Sequence, residues 1–122
     1  MTKFANATHV NQDLSLDVGK ERTTTALVTT ATAYKKGDLL ALSDANVLTH
    51  ATDEKTWDVI CTRDISAAEA TAMAAASVEV PVYYAGKFNV AAVSISGTKL
   101  ATNKYAAARA KATKNRIELA KV

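Results

Sequence analysis

Hydrophobic and polar positions alternate most strongly between Val78 and Val90, in Val-Glu-Val-Pro-Val-Tyr-Tyr-Ala-Gly-Lys-Phe-Asn-Val. Val78, Val80, Val82 and Tyr84 fall on one face and Glu79, Pro81, Tyr83 and Ala85 on the other, which is the period of a half-buried strand. Gly86 adopts a positive φ cheaply, and Phe88 and Val90 resume the alternation behind it, so the pattern predicts a hairpin turning at Gly86. Pro81 has no N–H to give a ladder, which places its strand at an edge or a bulge.

Other stretches show the same grammar. Lys36-Gly37-Asp38 reads as a turn opening a strand at Leu39-Leu40-Ala41-Leu42, and Ser43-Asp44-Ala45-Asn46 as the turn to a return strand at Val47-Leu48-Thr49-His50. The next strand runs from Trp57 to Ile65, with Trp57, Val59 and Cys61 on one face. Ser66-Ala67-Ala68-Glu69 has capping-box form, so the alanine-rich stretch 66–77 is either a loop or a short helix between two strands. Val93-Ser94-Ile95 ends at a Ser96-Gly97 turn. Thr102 or Asn103 then caps a helix through Ala106–Ala110 to about Thr113, and residues 116–119 alternate as a final strand.

Residues 1–33 differ from the rest. They are rich in Thr, Asn and Asp, and Thr23 to Thr32 is close to low complexity, so this stretch reads as an extended arm preceding a single domain over 34–122. Within the arm, Leu14, Leu16 and Val18 alternate with Asp13, Ser15 and Asp17, which makes a short strand available to a partner.

Composition adds three constraints. At 122 residues and 48% hydrophobic content the chain suits one modest core, but large side chains are scarce, so association is expected to supplement stability. The net charge of +3 is unevenly spread: Thr98 to Val122 carries seven Lys/Arg against Glu118, and the remaining residues are net acidic. That basic quarter suits phosphates, an acidic protein surface or plain solvation. The lone Cys61 excludes an intrachain disulfide and fits a reducing compartment, and its strand context marks a buried structural thiol. No run of 18 apolar residues and no leader pattern occurs, so a soluble protein of cytoplasmic origin is expected.

The inventory offers little chemistry. His9 and His50 have no metal-ligand spacing, and His50 with Asp53 and Glu54 reads as a solvated loop; no cofactor or metal site is expected. No nucleophile elbow, Walker loop or dinucleotide fingerprint occurs. Asp58 and Asp64 share a strand face but stand roughly 20 Å apart in an extended segment, too far for paired-carboxylate work. Asn6-Ala7-Thr8 is a glycosylation sequon by form only. An enzyme is not expected.

The order of parts resembles a known family. A Lys-Gly-Asp-Leu-Leu start, the 43–46 turn, a strand ending near Ile65 and above all Val80-Pro81-Val82-Tyr83-Tyr84-Ala85-Gly86-Lys87-Phe88-Asn89 are similar to the head decoration proteins of tailed bacteriophages, the lambda-type capsid-stabilising family. The similarity is good over roughly 36–95; beyond, it covers the helix and strand in order only. The Ala-rich 66–77 excursion and the basic C-terminal quarter depart from the family.

The resemblance implies a mainly β, β-clip-like small domain with one short C-terminal α-helix and an extended N-terminal arm. It implies a homotrimer on the outer surface of the virion, made in the host cytoplasm, that cements neighbouring major capsid subunits against internal DNA pressure, without membrane or direct nucleic-acid contact. Leu14, Leu16, Val18, Leu27 and Val28 are then the expected capsid-binding residues of the arm, ordering as an added strand on a partner's sheet edge. The alternative is a small β-barrel module binding single-stranded nucleic acid through the basic quarter, which would require stacking aromatics on a basic face, whereas Tyr83 and Tyr84 point oppositely.

Overall fold

The computed structural model describes residues 13–122 and is mainly β. The strands are β1 (Arg22–Val28), β2 (Leu39–Leu42), β3 (Val47–His50), β4 (Val59–Cys61), β5 (Glu79–Asn89), β6 (Ser94–Ile95), β7 (Thr98–Lys99) and β8 (Ile117–Ala120). Two helices join them, α1 (Ala67–Ala75) and α2 (Tyr105–Lys114). Five strands close on themselves: β1 pairs in parallel with β3 and antiparallel with β5, while β3–β2, β2–β4 and β4–β5 are antiparallel. The result is a small barrel without a free edge in its own circuit.

Two cores follow. Ala26, Val28, Leu40, Leu48, Val59, Cys61, Val80 and Val82 belong to one, together with Tyr34 and Ala70. Leu39, Trp57, Ile60, Phe88 and Val93 belong to the other, which α2 and β8 cover with Ala108, Ala112, Ile117 and Leu119. All of β4 is buried because it separates the two, Val59 and Cys61 facing the first core and Ile60 the second. The strand expected over 57–65 is therefore only Val59–Cys61, and Trp57 packs with Ile60 rather than with Val59 and Cys61. Its indole Nε1 donates to Glu54 O at 3.0 Å, and Asn115 Nδ2 donates to Trp57 O at 2.8 Å.

The expected hairpin at Gly86 is one continuous strand of 11 residues. Gly86, at φ +139°, marks a change of partners: residues before it pair with β1 and β4, and Gly86 to Asn89 pair in parallel with β8. A Cβ at Gly86 would stand 3.0 Å from the Phe88 ring and 3.3 Å from Glu21 Cα, so the glycine serves close approach as well as bending. Pro81 stands at a local edge of the ladder, as expected. Its carbonyl accepts Thr62 Oγ1 at 2.8 Å, on the side where the ladder with β4 has run out, and its missing N–H faces the same way.

The 66–77 stretch forms α1. Ser66 Oγ accepts Glu69 N–H at 3.0 Å and a Glu69 carboxylate oxygen accepts Ser66 N–H at 3.0 Å, a closed capping box, and Ala70 is wholly buried against the barrel. Propensity, capping and one small docking residue suffice for nine residues of helix. A 3-10 turn at Thr102–Lys104 leads into α2 without a side-chain cap from Thr102 or Asn103, and Asn115 closes the helix as expected.

Of the stretch expected to be an unpacked arm, residues 1–12 lie outside the described residues and much of 13–33 is built into the domain. Arg22 to Val28 is strand β1, in register with β5 from Thr23↔Tyr83 to Leu27↔Glu79 and with β3 at Leu27↔Val47. Threonine's β-branched side chain suits this exposed ladder, and only Ala26 and Val28 turn inward.

Candidate functional site

The five arm residues expected to bind a partner do not form one surface. Val28 is 3% exposed in the first core, and Leu14 is 7% exposed in the second, beside Phe88 and Ala92. Leu14 O accepts Asn89 N–H at 2.8 Å and Leu16 N–H donates to Lys87 O at 2.9 Å, so the segment around Ser15 lies antiparallel on the end of β5. The added-strand geometry expected with a partner is thus made within the chain. Leu16 and Leu27 are half-buried. Val18 alone points out, 83% exposed at the tip of a turn closed by Lys20 N–H on Asp17 O and Gly19 N–H on Glu21 Oε1. That tip borders an open cleft of about 430 Å³ walled by Leu14, Lys36, Ala92 and Lys99.

One buried polar cluster escaped the sequence reading. Asp38, wholly buried, accepts Ser94 Oγ–H at 2.8 Å and Gly97 N–H at 3.0 Å on Oδ1 and Lys35 N–H at 2.9 Å on Oδ2. Three donors satisfy most of the carboxylate's lone pairs, and the contacts tie the β6–β7 hairpin to the start of β2. Ser96 and Gly97 both take positive φ, the turn geometry that suits a two-residue hairpin loop. Gly37 sits at φ +92° where a Cβ would meet Ala92 O at 2.7 Å, so the Lys-Gly-Asp turn is fixed by close backbone approach. His50 stacks on Tyr34 at 5.1 Å and donates Nε2–H to Ala33 O at 2.7 Å, with Nδ1 3.7 Å from Asp38. It therefore faces Asp38, not a metal site with Asp53 and Glu54, and no metal-holding group of side chains exists among the described residues. His9 and the sequon at Asn6 lie outside the described residues.

Other candidate side chains serve the backbone. Asp58 accepts Leu42 N–H and Asp64 accepts Lys36 N–H, each at 2.9 Å. Burial pushes the Cys61 thiol up to about 11, and its Sγ–H donates to Arg63 O, so it is inert rather than nucleophilic. Tyr83 packs on Phe88 at 4.9 Å, and burial, then the Glu21 charge, raises its phenol above the ordinary range; Tyr84 is exposed on the other face. The two tyrosines do not make a stacking platform. No helix among the described residues is long and apolar enough to cross a membrane.

No family model, curated protein or solved structure matches the chain.

Proposed function

We propose that the chain is a structural virion protein: a homotrimer that binds the outside of the expanded capsid and cements neighbouring major capsid subunits against internal DNA pressure. The observation that carries this reading is the role of Val80–Asn89, the segment with the strongest likeness to phage head decoration proteins. It lies within the one strand on which the barrel, β8 and the Leu14–Leu16 segment converge. The residues that bear the resemblance are thus those around which the domain is organised.

Two further features support it. The polar side chains that sequence reading singled out are spent on backbone hydrogen bonds, which suits a module acting through its surface, without catalysis or cofactor. The exposed Val18 lies beyond the buried Leu14, so an apolar anchor stands out from a fixed base. The proposed capsid contact therefore centres on Val18 and the chain preceding Leu14, while Leu14 and Val28 serve the fold.

Mixing the purified protein with undecorated expanded shells of the phage that encodes it tests the reading. Co-sedimentation at micromolar protein is the expected result; protein left in the supernatant at that concentration refutes it. In solution a homotrimer of the 12.9 kDa chain has a mass of three copies, whereas a monomeric mass contradicts the assembly.

A further inference from the structure

The basic C-terminal quarter divides in two on the folded protein. Lys99 Nζ donates to Ala92 O at 2.9 Å, Arg109 Nε donates to Leu119 O at 2.8 Å, and Lys104 lies 3.8 Å from Glu54; these cations hold the fold together. Lys111 and Lys114 do not join them. One turn apart on α2, they meet Lys55 from the β3–β4 connection around a shallow groove of about 230 Å³ whose remaining wall is Ala107 and Ala110. Asp53 Oδ1 accepts Lys55 N–H at 2.7 Å, but among the described residues no carboxylate stands within 4.0 Å of the ammonium group of any of these three lysines. The groove thus gathers three ammonium groups that form no ion pair, with the Asp53 charge near Lys55, over a floor of methyl groups that lets an approaching chain come close to the helix.

The wall chemistry selects the occupant. No aromatic side chain lines the groove, so nothing in it can stack a base. Its cations span a single helical turn, short of the extended basic track that follows a nucleic-acid backbone. Ammonium groups on flexible stems suit two or three carboxylates presented on an extended protein segment, and the alanine floor admits that segment's backbone.

We propose that this groove seats an acidic segment of the major capsid protein, an assignment that rests on the capsid-decoration reading and gives the basic quarter its partner. Charge attraction at such a site governs salt dependence and orientation on the shell, complementing the apolar contact at Val18.

The test compares four full-length proteins by co-sedimentation with expanded shells: the unmodified chain, K111E/K114E, K111R/K114R, and the charge-matched R22E/K121E, whose exposed residues lie outside the groove. Thermal melts of each separate lost binding from lost fold. The expected result is an affinity at least about tenfold lower for K111E/K114E, with little change for the other two variants and a cooperative melt for every protein, that of K111E/K114E somewhat lower because both lysines stand in the last turn of α2, where the helix dipole favours cations. If the unmodified chain fails to sediment, the capsid reading falls and this assignment with it. If it sediments and K111E/K114E does so equally well, the groove assignment alone falls. A labelled oligo-dT bound by the unmodified chain at physiological salt and released by K111E/K114E would make the groove a nucleic-acid site and overturn the acidic-segment assignment.

Discussion

Deleting residues 1–32 should unfold the domain, whereas deleting residues 1–12 should leave it intact. The longer deletion removes β1, which pairs with both β3 and β5 and closes the barrel. Opening the circuit uncovers Leu48, Val80 and Val82, which are 1%, 3% and 0% exposed. At about 1.5–3 kcal/mol for each such side chain, exposing these three costs roughly 5–9 kcal/mol. The total stability of a small domain is about 5–15 kcal/mol, so this loss alone is comparable with the whole. Unpaired edges on β3 and β5 add to it. The single Trp57 is fully buried in the second core and reports on the global state. In urea titrations followed by tryptophan fluorescence, the 1–12 deletion should give a cooperative transition near the midpoint of the full chain. The 1–32 deletion should show red-shifted emission and no cooperative transition. A cooperative transition with an unchanged midpoint for that variant would refute the reasoning, because β1 would then be dispensable.

Leu14→Ala should cost about 2–5 kcal/mol in denaturant unfolding as a large-to-small core change, while Val18→Ala, at an 83% exposed site, should leave stability unchanged and weaken shell binding. Cys61, with its thiol raised to about 11, should resist iodoacetamide at pH 8 in the native protein and react on denaturation; rapid native labelling would contradict its burial. Ser66 N–H, aided by Arg63, holds the Glu69 carboxyl below the usual 4.5. Its contribution is therefore fully present above about 4.5 and is lost as pH falls through the lower folded value. Thermal melts between pH 6 and 3 should accordingly show a shallower acid slope for Glu69→Gln than for the unmodified chain, and equal slopes would count against the capping role.

The elements read best from sequence were those whose local chemistry and tertiary role agree. The Lys36–Asp38, Ser43–Asn46 and Ser96–Gly97 turns and strands β2, β3 and β8 stand where residue pattern put them, because turn residues and alternation are local signals. The capping box at Ser66 and Glu69 was equally legible, although only burial of Ala70 against the barrel decided between helix and loop. Gly86 misled for a physical reason: one residue type serves a turn, a bend and a close approach, and choosing among them requires knowing that β8 lies alongside. Threonine-rich β1 was misread because composition drew attention away from Ala26 and Val28, whose inward period was present in the chain. Trp57 misled because it lies outside β4, and that strand is short and buried on both faces, so alternation carries no information there. At the candidate site, Leu14–Leu16 was legible as a strand seeking an edge. That the edge would be the chain's own β5 depends on long-range register. The Asp38 cluster joins residues far apart in sequence, from Lys35 to Gly97, and no local pattern announces it.

The most direct measurement is a cryo-electron microscopy reconstruction of expanded shells with and without the protein. Capsid decoration predicts added density on the outer surface only, in three-fold protrusions that bridge neighbouring capsid subunits. A saturated sample whose shell is indistinguishable from the bare one, or whose added density lies inside it, would contradict that prediction.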